Sequence, residues 1–394
     1  MAGPLAGLVN HFQRREASMI RNGIGALIIL ALCHVPAFAD SGPIAVKPIA
    51  GPPADTEDGF TFNKKTKKTR RSLSGIACPE GQGSKKLCLV VFDEEAEARY
   101  LKIGRGKYSA DNERVVLGPE DTEIDAEAAA TDGKYYYVTG SHSLGRKTCE
   151  VRPNTRQVIR FKMDPGTGRA VRDSAGQLVE YASVANLWGI METEPSLNSD
   201  AEYKFCLQAG EKRGIDIEGL AIRNNRLYFG FRGPTKDTEA KIMAVNAEPL
   251  FGNGDVNAKF FSVSLGENRR GIRDMQAVSD GILILAGPDD QTDDPATLGA
   301  SPGSKEILSA NGTKKQIDRW IVALWDGNET HNGIIHARPL AELDLSTVEK
   351  RSCDTETKPE AMTVLSDEAG KPYKILILSD GMCDGGPLLF EVPK

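Results

Sequence analysis

The chain has 394 residues, a formal net charge of −6 and 26% charged residues, so it carries a sizeable core and no basic excess for gripping nucleic acid. Without residues 1–39 the charge becomes −8, because three Arg and one Glu leave with them. Those 39 residues read as an export signal: Arg21 supplies the positive start, Gly23 to Leu32 the apolar stretch, and Ala37-Phe38-Ala39 the small-residue cleavage site. Met19 would make a compact start, which leaves residues 1–18 as an upstream extension or the result of a misplaced start codon. The apolar stretch is shorter than the ~20 residues of a membrane span, so no membrane span is expected and the mature protein is placed in the periplasm or outside the cell. Cys33 admits a lipoprotein signal, although Leu32 is a poor residue before it.

Residues 40–71 are rich in Pro and Gly, then basic from Lys64 to Arg71, and read as a solvated arm. From Ser72 to Lys394 one pattern repeats. A short motif appears as Ser74-Gly75-Ile76-Ala77, Glu127-Ala128-Ala129-Ala130, Glu218-Gly219-Leu220-Ala221, Asp274-Met275-Gln276-Ala277 and Glu360-Ala361-Met362-Thr363. A polar turn (Asp132-Gly133, Asn224-Asn225, Asp280-Gly281) and a dense apolar run follow, as in YYYVTG from Tyr135 and ILILAG from Ile282. Two antiparallel strands joined by a tight turn, copied around a closed array, predict an all-β fold, a β-propeller. Further strands are expected at RQVIRFKM, AKIMAV, RWIVALW and LLFEV. The motif starts are 53, 91, 56 and 86 residues apart, which favours five blades, with six as the alternative. The long intervals hold insertions at 184–213 and 289–318, the second a long loop of the kind that serves as a lid or binding loop.

Six cysteines remain after the signal. Blade topology pairs Cys78 with Cys88, Cys149 with Cys206, and Cys353 with Cys383, as an oxidising compartment allows. A zinc cluster is disfavoured, since no C-x-x-C pair is present.

The first strand of each blade lines the channel, so the motif places Ser74, Glu127, Glu218, Asp274 and Glu360 in a ring. Four carboxylates on one axis repel unless a cation or water separates them. Oxygen ligands without His or Cys suit Ca²⁺ or Mg²⁺, giving Glu127, Glu218, Asp274 and Glu360 as candidate metal ligands. The second strands return to the same mouth and bring His142 and Arg232, while Arg273 adjoins the ring. These three are the candidate catalytic residues, orienting a small anionic substrate such as a phosphate ester. The rival reading is a water-filled channel lined with acids.

The segments DAEAAATDGKYYYVTGSHS from Asp125, GIDIEGLAIRNNRLYFGFRGP from Gly214, GIRDMQAVSDGILILAGP from Gly271 and KPEAMTVL from Lys358 resemble the bacterial domain-of-unknown-function family 3616. The resemblance covers roughly Ser72 to Lys394. In blade pattern the family is similar to phytase-like esterase and SMP-30-type lactonase propellers, many of which hold a divalent cation at the channel mouth. The resemblance implies a metal-dependent hydrolase of phosphate esters or lactones. The alternative is a non-catalytic monomeric propeller whose loops recognise a protein or glycan of the cell envelope.

Overall fold

The computed structural model describes residues 43–49, 59–81, 85–104, 107–119, 122–145, 149–198, 214–289, 306–308, 314–316, 320–331 and 333–394. The expected signal, most of the 289–318 loop and Cys206 lie outside the described residues.

Among the described residues five small sheets form the blades, and Glu306–Leu308 pairs with Lys314–Gln316 as a separate two-stranded sheet. Blade 1 contains Leu73–Ala77, Lys85–Phe92, Glu97–Gly104 and Lys107–Val116, and blade 2 contains Ala126–Thr131, Tyr135–Gly140, Val158–Lys162 and Ala182–Val184. Blade 3 is built from Asp216–Arg223, Arg226–Gly233, Glu239–Asn246 and Lys259–Ser264, and blade 4 from Gly271–Val278, Gly281–Gly287, Ile321–Trp325 and Arg338–Leu343. Blade 5 has three strands, Lys358–Ser366, Tyr373–Asp380 and Leu388–Val392. Each inner strand touches the next, and that of blade 5 touches that of blade 1, so the ring closes at five. The long motif intervals hold insertions rather than a sixth blade.

The dense apolar runs follow from burial on both faces. Successive side chains on a strand point to opposite faces, and in a propeller each face meets a neighbouring blade. Tyr136 packs toward blade 1 with Tyr100 and Phe161, whereas Tyr135 and Tyr137 pack toward blade 3 with Phe229 and Phe231. Five apolar clusters result, one at each blade interface. Each fully buried Leu, Ile or Phe contributes about 1.5–3 kcal/mol. Asn224 and Asn225, with φ of 51° and 60°, form the two-residue turn of blade 3, where both positions need the left-handed region. In blade 4 the two-residue turn is Ser279-Asp280, because Val278 pairs with Gly281, one residue earlier than the sequence suggests.

The outer edges depart from a uniform four-strand plan. Ile335–His336 adds to blade 3 and Ile44–Val46 to blade 4, both in parallel. Part of the segment expected as a solvated arm is thus built into the fold. Phe60 and Phe62 are also buried, edge-on to Phe92, at the interface of blades 1 and 5. The 184–198 part of the first insertion forms two short helices, Leu187–Glu192 and Pro195–Asn198, and Leu187, Met191 and Leu197 fill the core between blades 2 and 3.

Cys78 is bridged to Cys88 and Cys353 to Cys383, with Cα atoms 4.2 and 5.9 Å apart. Cys149 is also disulfide-bonded. No helix among the described residues is long and apolar enough to cross a membrane.

Candidate functional site at the channel mouth

Every inner strand carries a β-bulge at the same place. Pairing steps from Leu73 to Gly75, Ala126 to Ala128, Ile217 to Gly219, Ile272 to Asp274 and Pro359 to Ala361, while the partner strand advances by only one residue. The residues left out are Ser74, Glu127, Glu218, Arg273 and Glu360. A bulge re-aims the side chain it frees. The structural ring therefore contains Arg273 where the motif alignment puts Asp274. The frame shifts by one in blade 4: Ile272-Arg273-Asp274 corresponds to Ile217-Glu218-Gly219.

Arg273 draws this ring together. Its Nη1 donates to Glu218 Oε2 at 2.9 Å and to Glu360 Oε1 at 3.1 Å, and its Nη2 donates to the Pro288 carbonyl at 2.5 Å. Arg232, freed by a second bulge between Asp216 and Ile217, donates to the other oxygen of Glu218 at 2.7 Å. Glu218 is thus gripped by two guanidinium groups, and all three side chains are buried. Asp216 lies 3.8 Å from Arg232, and Lys358 pairs with Asp380 at 3.2 Å.

Glu127 stands apart. It is partly buried, and no described residue gives it a hydrogen bond or ion pair. Burial pushes its pKa well above the ordinary carboxyl value, and the nearby charges of Asp125, Glu218, Asp93 and Asp216 push it further. Glu360 is raised chiefly by burial, then by Asp380 and Glu218, against the pull of Arg273 and Arg232. Asp93 is raised to about 8, mainly by burial, and Asp125 and Asp380 act in the same direction.

Sequence reasoning missed Asp93, Asp125 and Asp216. Two of them had a signal: Asp125-Ala126-Glu127 and Asp216-Ile217-Glu218 repeat an acid two positions before the ring residue. Asp125, held at φ 52°, accepts hydrogen bonds from Ser141 Oγ at 2.5 Å and Arg152 Nη1 at 3.2 Å.

The remaining sequence candidates sit elsewhere. Asp274 is fully buried behind the ring and bonded to backbone N–H groups. His142 is also fully buried, at φ 58°, with Nδ1 3.0 Å from the Gly140 carbonyl. Burial lowers its pKa to about 4, so the ring is neutral at pH 7. No hydrogen bond or ion pair among the described residues joins it to Arg232, Arg273 or the glutamates.

A metal fits this arrangement poorly. The place a divalent ion would take between Glu218 and Glu360 is filled by the Arg273 guanidinium. Among the described residues, no group of three or more His, Cys, Asp or Glu is arranged to hold an ion.

The model of a family described as "Protein of unknown function (DUF3616)" matches residues 110–163 and 169–382. The chain belongs to that family. No curated protein matches the sequence. Among solved structures, this member of the family is similar to a GH43 endo-arabinanase from Bacillus licheniformis, at 8% identity and a TM-score of 0.33, over 82% of this chain and 94% of that one. It is also similar to an exo-β-1,3-galactanase from Phanerochaete chrysosporium, at 9% identity and a TM-score of 0.38, over 87% of this chain and 63% of that one. A DUF4623 protein from Bacteroides eggerthii aligns at 10% identity with a TM-score of 0.32, over 88% of this chain and 77% of that one. At these values none of them assigns a residue or a reaction to this chain.

Proposed function

We propose that this protein is an exported hydrolase that works by carboxyl acid–base chemistry at the channel mouth, on a neutral, polyhydroxylated substrate such as a glycoside or a sugar lactone. The observation that carries this reading is the contrast between Glu127 and Glu218. Glu127 has no hydrogen-bond or ion-pair partner among the described residues and is pushed toward its protonated form, whereas Glu218 accepts hydrogen bonds from both Arg232 and Arg273. A carboxyl group pushed toward its protonated form and a second one fixed by two guanidinium groups can divide a hydrolysis between them. Glu127 gives its proton to the leaving oxygen. Glu218 orients the attacking water and takes up its proton, so the elements of water are added across the bond that breaks.

Charge argues for a neutral substrate. Asp93, Asp125, Glu127, Asp216, Glu218, Glu360 and Asp380 gather here, and Arg232, Arg273 and Lys358 already have carboxylate partners. A phosphate ester would find these cations already committed to carboxylates. Export is supported by the disulfides, which persist in oxidising compartments.

The test is turnover of aryl glycosides, sugar lactones and p-nitrophenyl phosphate, each in EDTA and in millimolar Ca²⁺ or Mg²⁺. Hydrolysis of a neutral substrate in EDTA is expected, with kcat/KM reduced about 10²–10⁴-fold in Glu127→Gln. Turnover of the phosphate ester alone, and only with a divalent ion, would replace this reading with the metal-dependent one. Inactivity throughout would favour the binding propeller.

A further inference from the structure

Asp274 is the one acidic side chain planted where the inner strands run closest together. The equivalent positions in the other blades are Gly75, Ala128, Gly219 and Ala361, all small. The reason is space: a Cβ added at Gly75 would lie 2.7 Å from Ala128 Cα, and one at Gly219 would lie 2.9 Å from Ile272 Cγ2. A charged group at such a position needs hydrogen bonds from every side. Asp274 has them. One oxygen accepts the Met275 N–H at 2.7 Å, the other accepts the Met362 N–H at 2.7 Å, and the Leu220 N–H also favours the ionised form of this carboxyl.

Those three N–H groups belong to the inner strands of blades 3, 4 and 5. Leu220 follows Glu218 by two residues, Met362 follows Glu360 by two, and Asp274 directly follows Arg273. The carboxyl therefore spans three strands immediately behind the three side chains that meet on the axis. We infer that Asp274 is the positioning residue of the channel-mouth site, fixing the separation of blades 3, 4 and 5 so that Arg273 reaches Glu218 and Glu360 together. Its importance to catalysis rests on the acid–base reading above, but its geometric role does not.

Aspartate suits the place by length. Glutamate would carry one more methylene into strands already in contact, and alanine would leave backbone donors from two other blades unpaired in a dry interior. Glu127, on blade 2, receives nothing from Asp274 and so serves as an internal reference.

The experiment is carboxyl titration by NMR in the full chain labelled with ¹³C-glutamate, with resonances assigned through Glu127→Gln and Glu360→Gln. In Asp274→Asn the amide turns a donor toward one of the strand N–H groups. The expected result is a folded protein in which the Glu360 titration midpoint moves by at least half a pH unit while that of Glu127 stays in place. Equal movement of both, or of neither, would overturn the inference and leave Asp274 a packing residue. Should Asp274→Asn fail to fold, amide exchange in the wild-type chain decides: protection of Leu220, Met275 and Met362 as one group supports the staple, and rapid exchange at Leu220 or Met362 refutes it. A wild-type Glu127 titrating in the ordinary range would instead sink the proposed acid, whatever Asp274 does.

Discussion

Arg273 and Glu218 leave the bulges of adjacent blades and meet at 2.9 Å in the buried centre of the ring. A buried pair of this kind adds little net stability against an apolar replacement, yet removing one partner strands the other charge, at about 3–5 kcal/mol. In Arg273→Met, Glu218 and Glu360 would lose their shared cation, and hard oxygen ligands would face each other across the vacated place. We therefore expect Arg273→Met to melt well below wild type in EDTA and to gain a saturable, Ca²⁺-dependent rise in melting temperature that wild type lacks. Thermal unfolding with and without Ca²⁺ reads both. An ion-specific rise in the wild-type protein would show that Arg273 gives way to metal, as the sequence expectation of a metal ring requires.

The acidic mouth also fixes the direction of the pH dependence. Asp93 is raised from 3.8 to about 8 in the folded chain, mainly by burial, and Glu127 and Glu360 are raised by the same cause. The folded state keeps protons that the unfolded chain releases, so this stabilisation is complete below about pH 4 and disappears as pH rises toward 8. Asp111 acts oppositely: burial pushes it up, but hydrogen bonds from Lys102 and Arg169 overcome this and bring it to about 2. Its contribution is lost as pH falls from about 4 to 2. The melting temperature should peak near pH 4–5 and decline toward pH 8. A scan showing a flat or rising curve from pH 5 to 8 would mean the mouth carboxyls are solvated and ordinary.

Blade number and most of the ring were legible because the motif recurs in every blade and the apolar runs need two buried faces. The one-residue offset at Asp274 has a physical origin. Alignment by the last motif residue assumed that Ala277 matches Ala221, whereas the bulge places Gln276 there. A bulge changes register without changing composition, so only an apolar residue before the freed side chain marks it, and that signal is weak. His142 looked like a rim residue because its strand ends at the mouth; the left-handed backbone at φ 58° turns it into the interior instead. Ion-pair partners from different blades, such as Arg273 with Glu360, have no sequence signature.

The crowding at the axis makes a sharp contrast between two glycines. At Gly75 a methyl group would meet Ala128 Cα at 2.7 Å and Ala129 N at 2.8 Å, both backbone atoms of blade 2 that cannot step aside. Gly189 lies in the Leu187–Glu192 helix with nothing within 4 Å of its added Cβ. Gly75→Ala should destabilise by about 1–3 kcal/mol or more through overpacking. Gly189→Ala should stabilise by up to about 1 kcal/mol through helix propensity. Denaturant midpoints measure both, and a neutral Gly75→Ala would mean that blades 1 and 2 separate more easily than this packing implies.

Among the described residues no strand is shared between blades 1 and 5, and a polar latch around Asp384 joins them beside their apolar interface. This carboxylate accepts the Phe60 N–H at 3.0 Å and Arg70 Nε at 2.9 Å, while its own N–H donates to the Arg70 carbonyl at 2.7 Å. Gly381 N donates to the Arg71 carbonyl at 2.7 Å. The adjacent Cys353–Cys383 bridge ties the latch to the segment leading into blade 5. Asp384→Ala removes one end of a partly buried ion pair and orphans a backbone donor, which should cost about 2–3 kcal/mol. Loss of the bridge, which spans 30 residues, should cost more than loss of Cys78–Cys88, which spans 10, at about 4 against 3 kcal/mol. Both changes should open the same seam first. Hydrogen exchange should rise in 73–92 and 358–392 of Asp384→Ala while blades 2 to 4 keep their protection. Uniform loss of protection around all five blades would mean that the ring unfolds as one unit and the latch is one contact among many.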